Sequence, residues 1–248
     1  MDEELKQQYM EIVGSLNYAS SMTRPDIAHA CSQLGTVLQN PGVVHLNAAK
    51  KVVRYLIGTR SLGLLYRCDP WTPPRYNHAI KASEVIGYTD ADWAGDKDSR
   101  LSTTCYLTFL AGGPISWKAR KQKVHAGSSA ESELIAMSGG VRDAQYVRAT
   151  FNLIRLLLQV KPTVIMSDSS AAIAIAENSG MKEKTKHIAL RFFAVRGLQK
   201  IGVVKILKIG TDFNPSDIGT KSLGVITFSR HMATVVKECP PAKEGRDG

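Results

Sequence analysis

Four acidic side chains stand where the chain's pattern ends or edges its regular elements, and carboxylates gathered at such places can hold divalent cations. Asp90 closes an apolar run, IGYT (86–89), and Asp168 closes a second, VIMS (164–167). In an open α/β sheet the ends of neighbouring strands are where functional side chains converge. Either aspartate could equally cap the helix that follows it. Glu131 and Glu133 sit early in a long helical pattern, about 200° apart around its axis, and cannot both face a sheet. SSAE (128–131) matches a capping box, which gives Glu131 a structural task and leaves Glu133 as the candidate for chemistry. Asp217 follows an Asn cap and a Pro at the first helical position in NPSD (214–217), so helix initiation alone would account for it. Asp92, Asp96 and Asp98 read as solvated turn residues.

An acidic cluster in a basic protein has a physical purpose. Two hard cations held by carboxylates neutralise a phosphodiester, activate water and stabilise the leaving oxygen of an in-line displacement. The formal charge of +10 favours an anionic partner, and nucleic acid is the commonest for such a chain. Lys118, Arg120, Lys121, Lys123 and His125 form one basic stretch without an acid among them. Between Lys182 and Lys208, eight Lys/Arg stand against Glu183 alone, a net +7. Contacts from these runs to phosphates would be independent of sequence, and a solvated helix face is the other reading. His187 stands in the second run; a lone helical histidine is more often structural than catalytic. Trp93 and Trp117 flank strands and read as core or rim.

The elements that must position these groups change in texture along the chain. Residues 5–60 read as helices, with TRPD (23–26) as a start signal, NPG (40–42) as a stop, and a further helix over 45–57 ended by Gly58. CDPWTPPR (68–75) reads as a connector. Three strands then follow, 85–89, 103–110 and 114–118. A helix over 130–158, interrupted at Gly139-Gly140, leads to a strand at 163–166, helices at 171–177 and 185–199, a strand at 203–209 and a short helix after Pro215. Three meandering strands followed by strands alternating with helices imply a mixed sheet covered by helices. The last ten residues read as a disordered tail. The four cysteines form no CxxC pair, which argues against a zinc site or disulfide framework and fits a cytoplasmic or nuclear setting rather than secretion. No apolar run reaches the roughly 18 residues needed to span a bilayer, and the N-terminus lacks a signal-peptide core.

Five strings carry a resemblance: YTDADWAGDKDSRLST (88–103), PISWKARKQKVHAGSSAESELIAM (114–137), SDSSAAIAIAEN (167–178), TKHIALRFFAVR (185–196) and NPSDIGTKSL (214–223). In order and spacing the chain resembles the Pol polyprotein of copia-type retrotransposons in its ribonuclease H domain. IVGSLNY (12–18), TRPDI (23–27) and AAKKVVRYL (48–56) resemble the end of that family's reverse transcriptase. The resemblance implies a five-stranded mixed α/β sheet flanked by helices, preceded by a small helical segment. It divides the chain into 1–70 (reverse-transcriptase end), 71–84 (linker), 85–223 (ribonuclease H-like domain) and 224–248 (C-terminal extension).

The same resemblance implies that Asp90, Glu133, Asp168 and Asp217 are catalytic and bind two Mg²⁺ ions, with Mn²⁺ as a substitute. It implies hydrolysis of the RNA strand of RNA–DNA hybrids, and the rest of a polyprotein as a second partner. Lys118, Lys121, Lys123, Lys184, Lys186, His187, Arg191 and Arg196 are the candidate contacts to nucleic acid. No paired-Asp polymerase motif is present, so no DNA synthesis is expected. Ala189 stands where the family has an acid, and Phe193-Ala194 replaces a His-aromatic pair. No histidine lies between Gly202 and Asp217, which implies slower cleavage. The alternative is a catalytically idle relic that only binds nucleic acid.

Overall fold

The computed structural model describes residues 3–72, 79–153, 162–177 and 186–239, with the backbone alone at 186–190 and 192. The elements follow the change in sequence texture. Helices α1 (Glu3–Met22), α2 (Ala28–Gly35) and α3 (Val43–Gly58) come first, then a two-residue strand β1 (Leu62–Gly63). Next are β2 (Ile86–Asp92), β3 (Thr103–Leu110), β4 (Gly113–Lys121), α4 (Ser129–Leu153), β5 (Thr163–Ser167), α5 (Ser170–Glu177), α6 (Lys186–Lys200) and β6 (Val204–Lys208). A 3₁₀ turn, Pro215–Gly219, precedes α7 (Val225–Val235) and β7 (Lys237–Glu238). The main sheet has five strands in the order β4-β3-β2-β5-β6. The first three are antiparallel, whereas β2, β5 and β6 run parallel. The expected five-stranded mixed sheet flanked by helices is therefore the sheet observed.

Apolar residues fill both faces of this sheet. Leu134, Met137, Val141 and Ala144 of α4 pack with Ile165 and Ile206 on one face. Ile86, Tyr88, Leu107, Phe109, Met166, Ile218 and Val235 fill the other. The N-terminal helices bury a core of their own around Tyr9, Val13, Leu16, Cys31 and Leu46. Ties between them and the sheet side include the following. The Trp117 indole N–H donates to the Ser20 carbonyl at 2.7 Å. Tyr55 packs edge-on against Phe228 of α7, while its hydroxyl donates to Asp26, itself paired with Arg24 at 2.7 Å. Within 71–84, Trp71 bridges Ile80 and stacks on Phe109.

Three local expectations change. α4 runs unbroken through Gly139-Gly140, and Gly140 serves packing and not interruption: a Cβ there would come 2.4 Å from Thr89 Cγ2. Asp92 is not a solvated turn residue; it ends β2, paired with Thr103 and half-buried. α7 was not anticipated, since its Val-Ile-Thr start is β-branched and carries no side-chain cap. The expected helix tail beyond 153 and the chain's last nine residues lie outside the described residues.

Candidate metal centre

Strand register brings the first two carboxylates together. β2 and β5 run in parallel with Tyr88 opposite Met166 and Thr89 opposite Ser167. Side chains alternate along a strand, so Asp90 and Asp168 share the face of Tyr88 and Met166 at the sheet's carboxyl edge. Asp217 arrives from the 3₁₀ turn. The Asn214 side chain accepts from the Ser216 amide as a cap and donates to the Thr89 carbonyl at 3.0 Å, which fixes the turn beside β2. The turn also lies close on β3, since a Cβ on Gly219 would meet Cys105 Sγ at 2.3 Å. Among the described residues, one carboxylate oxygen from each of Asp90, Asp168 and Asp217 can be chosen so that all lie within 4.8 Å of one another.

Glu133 reaches the same place from the first turns of α4. It is 8% exposed, accepts from the Ala91 amide and lies in the fields of Asp90 and Asp168. Glu131 does something else. Its carboxylate accepts from the Gly127 amide at 2.8 Å, while its own amide donates to Ser128 Oγ at 3.2 Å. The capping role predicted for Glu131 is thus present, one residue further back than the expected Ser128 amide. Gln122 braces the helix start by donating to Thr104 Oγ1 and the Ser132 carbonyl.

The electrostatics are those of crowded anions in a partly dry site. Burial first, and then the neighbouring Asp217, pushes Asp90 up to about 7, against the hydrogen bond donated by Thr220. Burial and the charges of Asp90 and Asp168 push Glu133 up to about 9. One oxygen each of Glu133, Asp168 and Asp217 is buried without a hydrogen-bond partner. Such atoms are costly unless a ligand meets them. Lys221 places its ammonium 3.1 Å from Asp217, and Lys208 donates to the Asp168 carbonyl. Burial works to lower the Lys221 pKa, but Asp90 and Asp217 prevail and raise it. Lys221, Thr220 and the second bond of Asn214 escaped the sequence reading, although the i,i+4 spacing of Asp217 and Lys221 was a usable signal. His29, brought by α2 to the cleft beside Asp92, gave no local signal at all.

The basic candidates are placed unevenly. Lys118 and Lys123 are exposed on and just beyond β4. Lys121 is engaged in an ion pair with Asp96, whose carboxyl it holds below the usual range together with Ser99. Arg191 and Arg196 are half-buried on α6. Lys184 lies outside the described residues, as do the side chains of Lys186 and His187. Trp93 is half-exposed, with its indole N–H donating to the Ala126 carbonyl.

No family model matches the chain. It is 40% identical over 217 residues to the retrovirus-related Pol polyprotein from transposon TNT 1-94 of Nicotiana tabacum, covering 87% of this chain and 15% of that protein. It is 31% identical over 236 residues to the retrovirus-related Pol polyprotein from transposon RE1 of Arabidopsis thaliana, covering 95% of this chain and 15% of the relative. The chain thus spans about a seventh of the length of these relatives. The crystal structure of LC11-RNase H1 in complex with an RNA/DNA hybrid superposes with a TM-score of 0.42 at 11% identity, covering 55% of this chain and 94% of that one. The chain is homologous, over most of its length, to a segment of the retrovirus-related Pol polyproteins of copia-type transposons.

Proposed function

We propose that the chain is a divalent-metal-dependent endonuclease that hydrolyses the RNA strand of RNA–DNA hybrids. The observation that carries this reading is the meeting of Asp90, Asp168 and Asp217 at one sheet edge, with Glu133 in the fields of two of them and a buried oxygen left unpartnered on Glu133, Asp168 and Asp217. The donor set is all oxygen, which suits Mg²⁺ or Mn²⁺ and disfavours softer ions. Asp90, Glu133, Asp168 and Asp217 would hold two such ions. Bound there, the ions supply neutralisation of the phosphodiester charge and polarisation of the attacking water. The chain's own residues arrange the rest. Thr220 orients Asp90, the Ala91 amide orients Glu133, and the Asn214 cap holds Asp217 against β2.

Kinship with the Pol polyproteins supports a nucleic-acid substrate, and the five strings that resemble their ribonuclease H domain support a hybrid in particular. Exposed Lys118 and Lys123 are assigned to the phosphate backbone, as are Lys184, Lys186, His187, Arg191 and Arg196 of the second basic run. Lys121, held by Asp96, is assigned a lesser part. We place the rest of a Pol polyprotein as a second partner, and residues 1–70 as the end of its reverse transcriptase. The test is a side-by-side assay of an RNA–DNA hybrid, duplex DNA and duplex RNA in Mg²⁺. Selective loss of the hybrid's RNA strand supports the proposal. Cleavage of duplex DNA instead, or tight hybrid binding with no cleavage of any substrate, overturns it.

A further inference from the structure

The tight turn that carries Asp217 does three jobs within five residues. The Thr220 amide and hydroxyl both close on the Asp217 carbonyl, and the same hydroxyl donates to Asp90. One residue on, the Lys221 amide also faces that carbonyl, and its ammonium meets Asp217 Oδ2 at 3.1 Å. That ammonium therefore stands at the rim of the carboxylate cluster, with its side chain 37% exposed. Lys221 also lines the polar cleft of about 360 Å³ that opens beside the cluster, opposite His29 and Gln33 of α2. It is the cation for which the turn's geometry provides: a side chain four residues past the aspartate is returned to it.

We infer that Lys221 is the resident counter-cation of the carboxylate cluster and a positioning residue that sets how tightly the centre takes a divalent ion. Metal-free, the carboxylates at one edge repel one another, and the Lys221 ammonium partly neutralises them. When a divalent ion enters, the same ammonium opposes it at short range, in surroundings drier than bulk water. Lys221 thus steadies the empty centre and weakens the filled one. A merely structural ion pair to Asp217 would steady both alike. The inference rests on the metal reading above and adds to it a named residue that tunes affinity.

The test is a Mg²⁺ titration of the full chain at pH 8 and low ionic strength, by calorimetry and by the shift in melting temperature. Wild type is compared with Lys221→Met, which keeps the length and removes the charge, Lys221→Arg, which keeps the charge, and Asp90→Asn. Lys221→Met is expected to bind Mg²⁺ about tenfold more tightly than wild type. It is expected to melt lower in chelator and to gain more from saturating Mg²⁺. Lys221→Arg should stay near wild type, and the gap between Met and wild type should narrow at 0.5 M salt as the exposed charge is screened. If Lys221→Met binds Mg²⁺ no more tightly than wild type while Asp90→Asn loses binding, the counter-cation role is overturned and the metal centre stands. If Asp90→Asn binds Mg²⁺ as well as wild type, the metal centre at these residues falls, and this inference falls with it.

Discussion

Glu131 and Glu133 lie two residues apart and are separated by what each carboxylate meets. Glu131 closes the helix start through the Gly127 amide, whereas Glu133 turns inward to Asp90 and Asp168. Glu133→Gln should therefore abolish hybrid cleavage without lowering the melting temperature in chelator, since burial and its neighbours already favour the uncharged form that Gln resembles. Glu131→Ala should cost about 0.5–2 kcal/mol of stability, the range for a lost cap, and spare the rate. Parallel melts and single-turnover rates check both, and the opposite assignment would place the helix start wrongly. The pH dependence follows from the same crowding. Asp90 and Glu133 are raised in the folded protein, to about 7 and about 9. Across the window from the ordinary carboxylate range up to those values, the folded state holds protons that the unfolded state has released. Metal-free stability should then fall as pH rises from about 5 to about 9. Saturating Mg²⁺ should recover most of the loss at pH 8–9. A metal-free melting temperature that climbs over that interval, with no gain from Mg²⁺, would contradict the account.

At the scale of elements, most of the site's scaffold was legible because strand alternation and glycine or proline punctuation are local signals. The strands at 103–110 and 163–167, and the Asn cap before Asp217, are of this kind. Convergence was not legible. The parallel register that sets Asp90 beside Asp168 depends on long-range pairing, and only the resemblance chose Asp217 over its capping role. Gly139-Gly140 misled for the same reason, because two glycines in a helix read locally as a break, when the need for Gly140 lies on the strand packed against it. This pair yields a contrast. Gly140→Ala should cost about 1–3 kcal/mol, because its Cβ would meet Thr89 Cγ2 at 2.4 Å and Tyr106 Cβ at 3.3 Å. Gly139→Ala should be neutral or gain up to about 1 kcal/mol, because its neighbours on Tyr106 stand at 3.4 and 3.5 Å and the helix prefers alanine. Urea melts of the two variants read the difference directly, and equal losses at both positions would sink it.

For the whole molecule, the balance is an acidic edge inside a chain of net charge +10. The helical segment is not a loose leader in this structure, since Trp117 bonds Ser20 and Tyr55 packs on α7. Its His29 helps to line the cleft at the acidic edge. Among the described residues no helix is long and apolar enough to cross a membrane. Binding of hybrid should weaken as salt rises, because neutralised phosphates release condensed counterions. Lys118→Ala and Lys123→Ala should each flatten the salt slope by roughly one unit, an estimate taken from duplex DNA. Lys121→Ala should change it less, because that ammonium already meets Asp96. Arg191 and Arg196 stand about 140° apart around α6, so their replacements should have unequal effects. Slopes unchanged in all these variants would leave the basic runs as solvated faces. The most direct test of the central claim is the rate at which wild type and Asp90→Asn cut the RNA strand of one RNA–DNA hybrid, measured as Mg²⁺ is titrated from excess chelator. The account predicts no cleavage by wild type in chelator, a rise with Mg²⁺, and little or none by Asp90→Asn at any concentration, with its binding of hybrid retained. Cleavage in chelator, or an Asp90→Asn variant that cuts as wild type does, would contradict it.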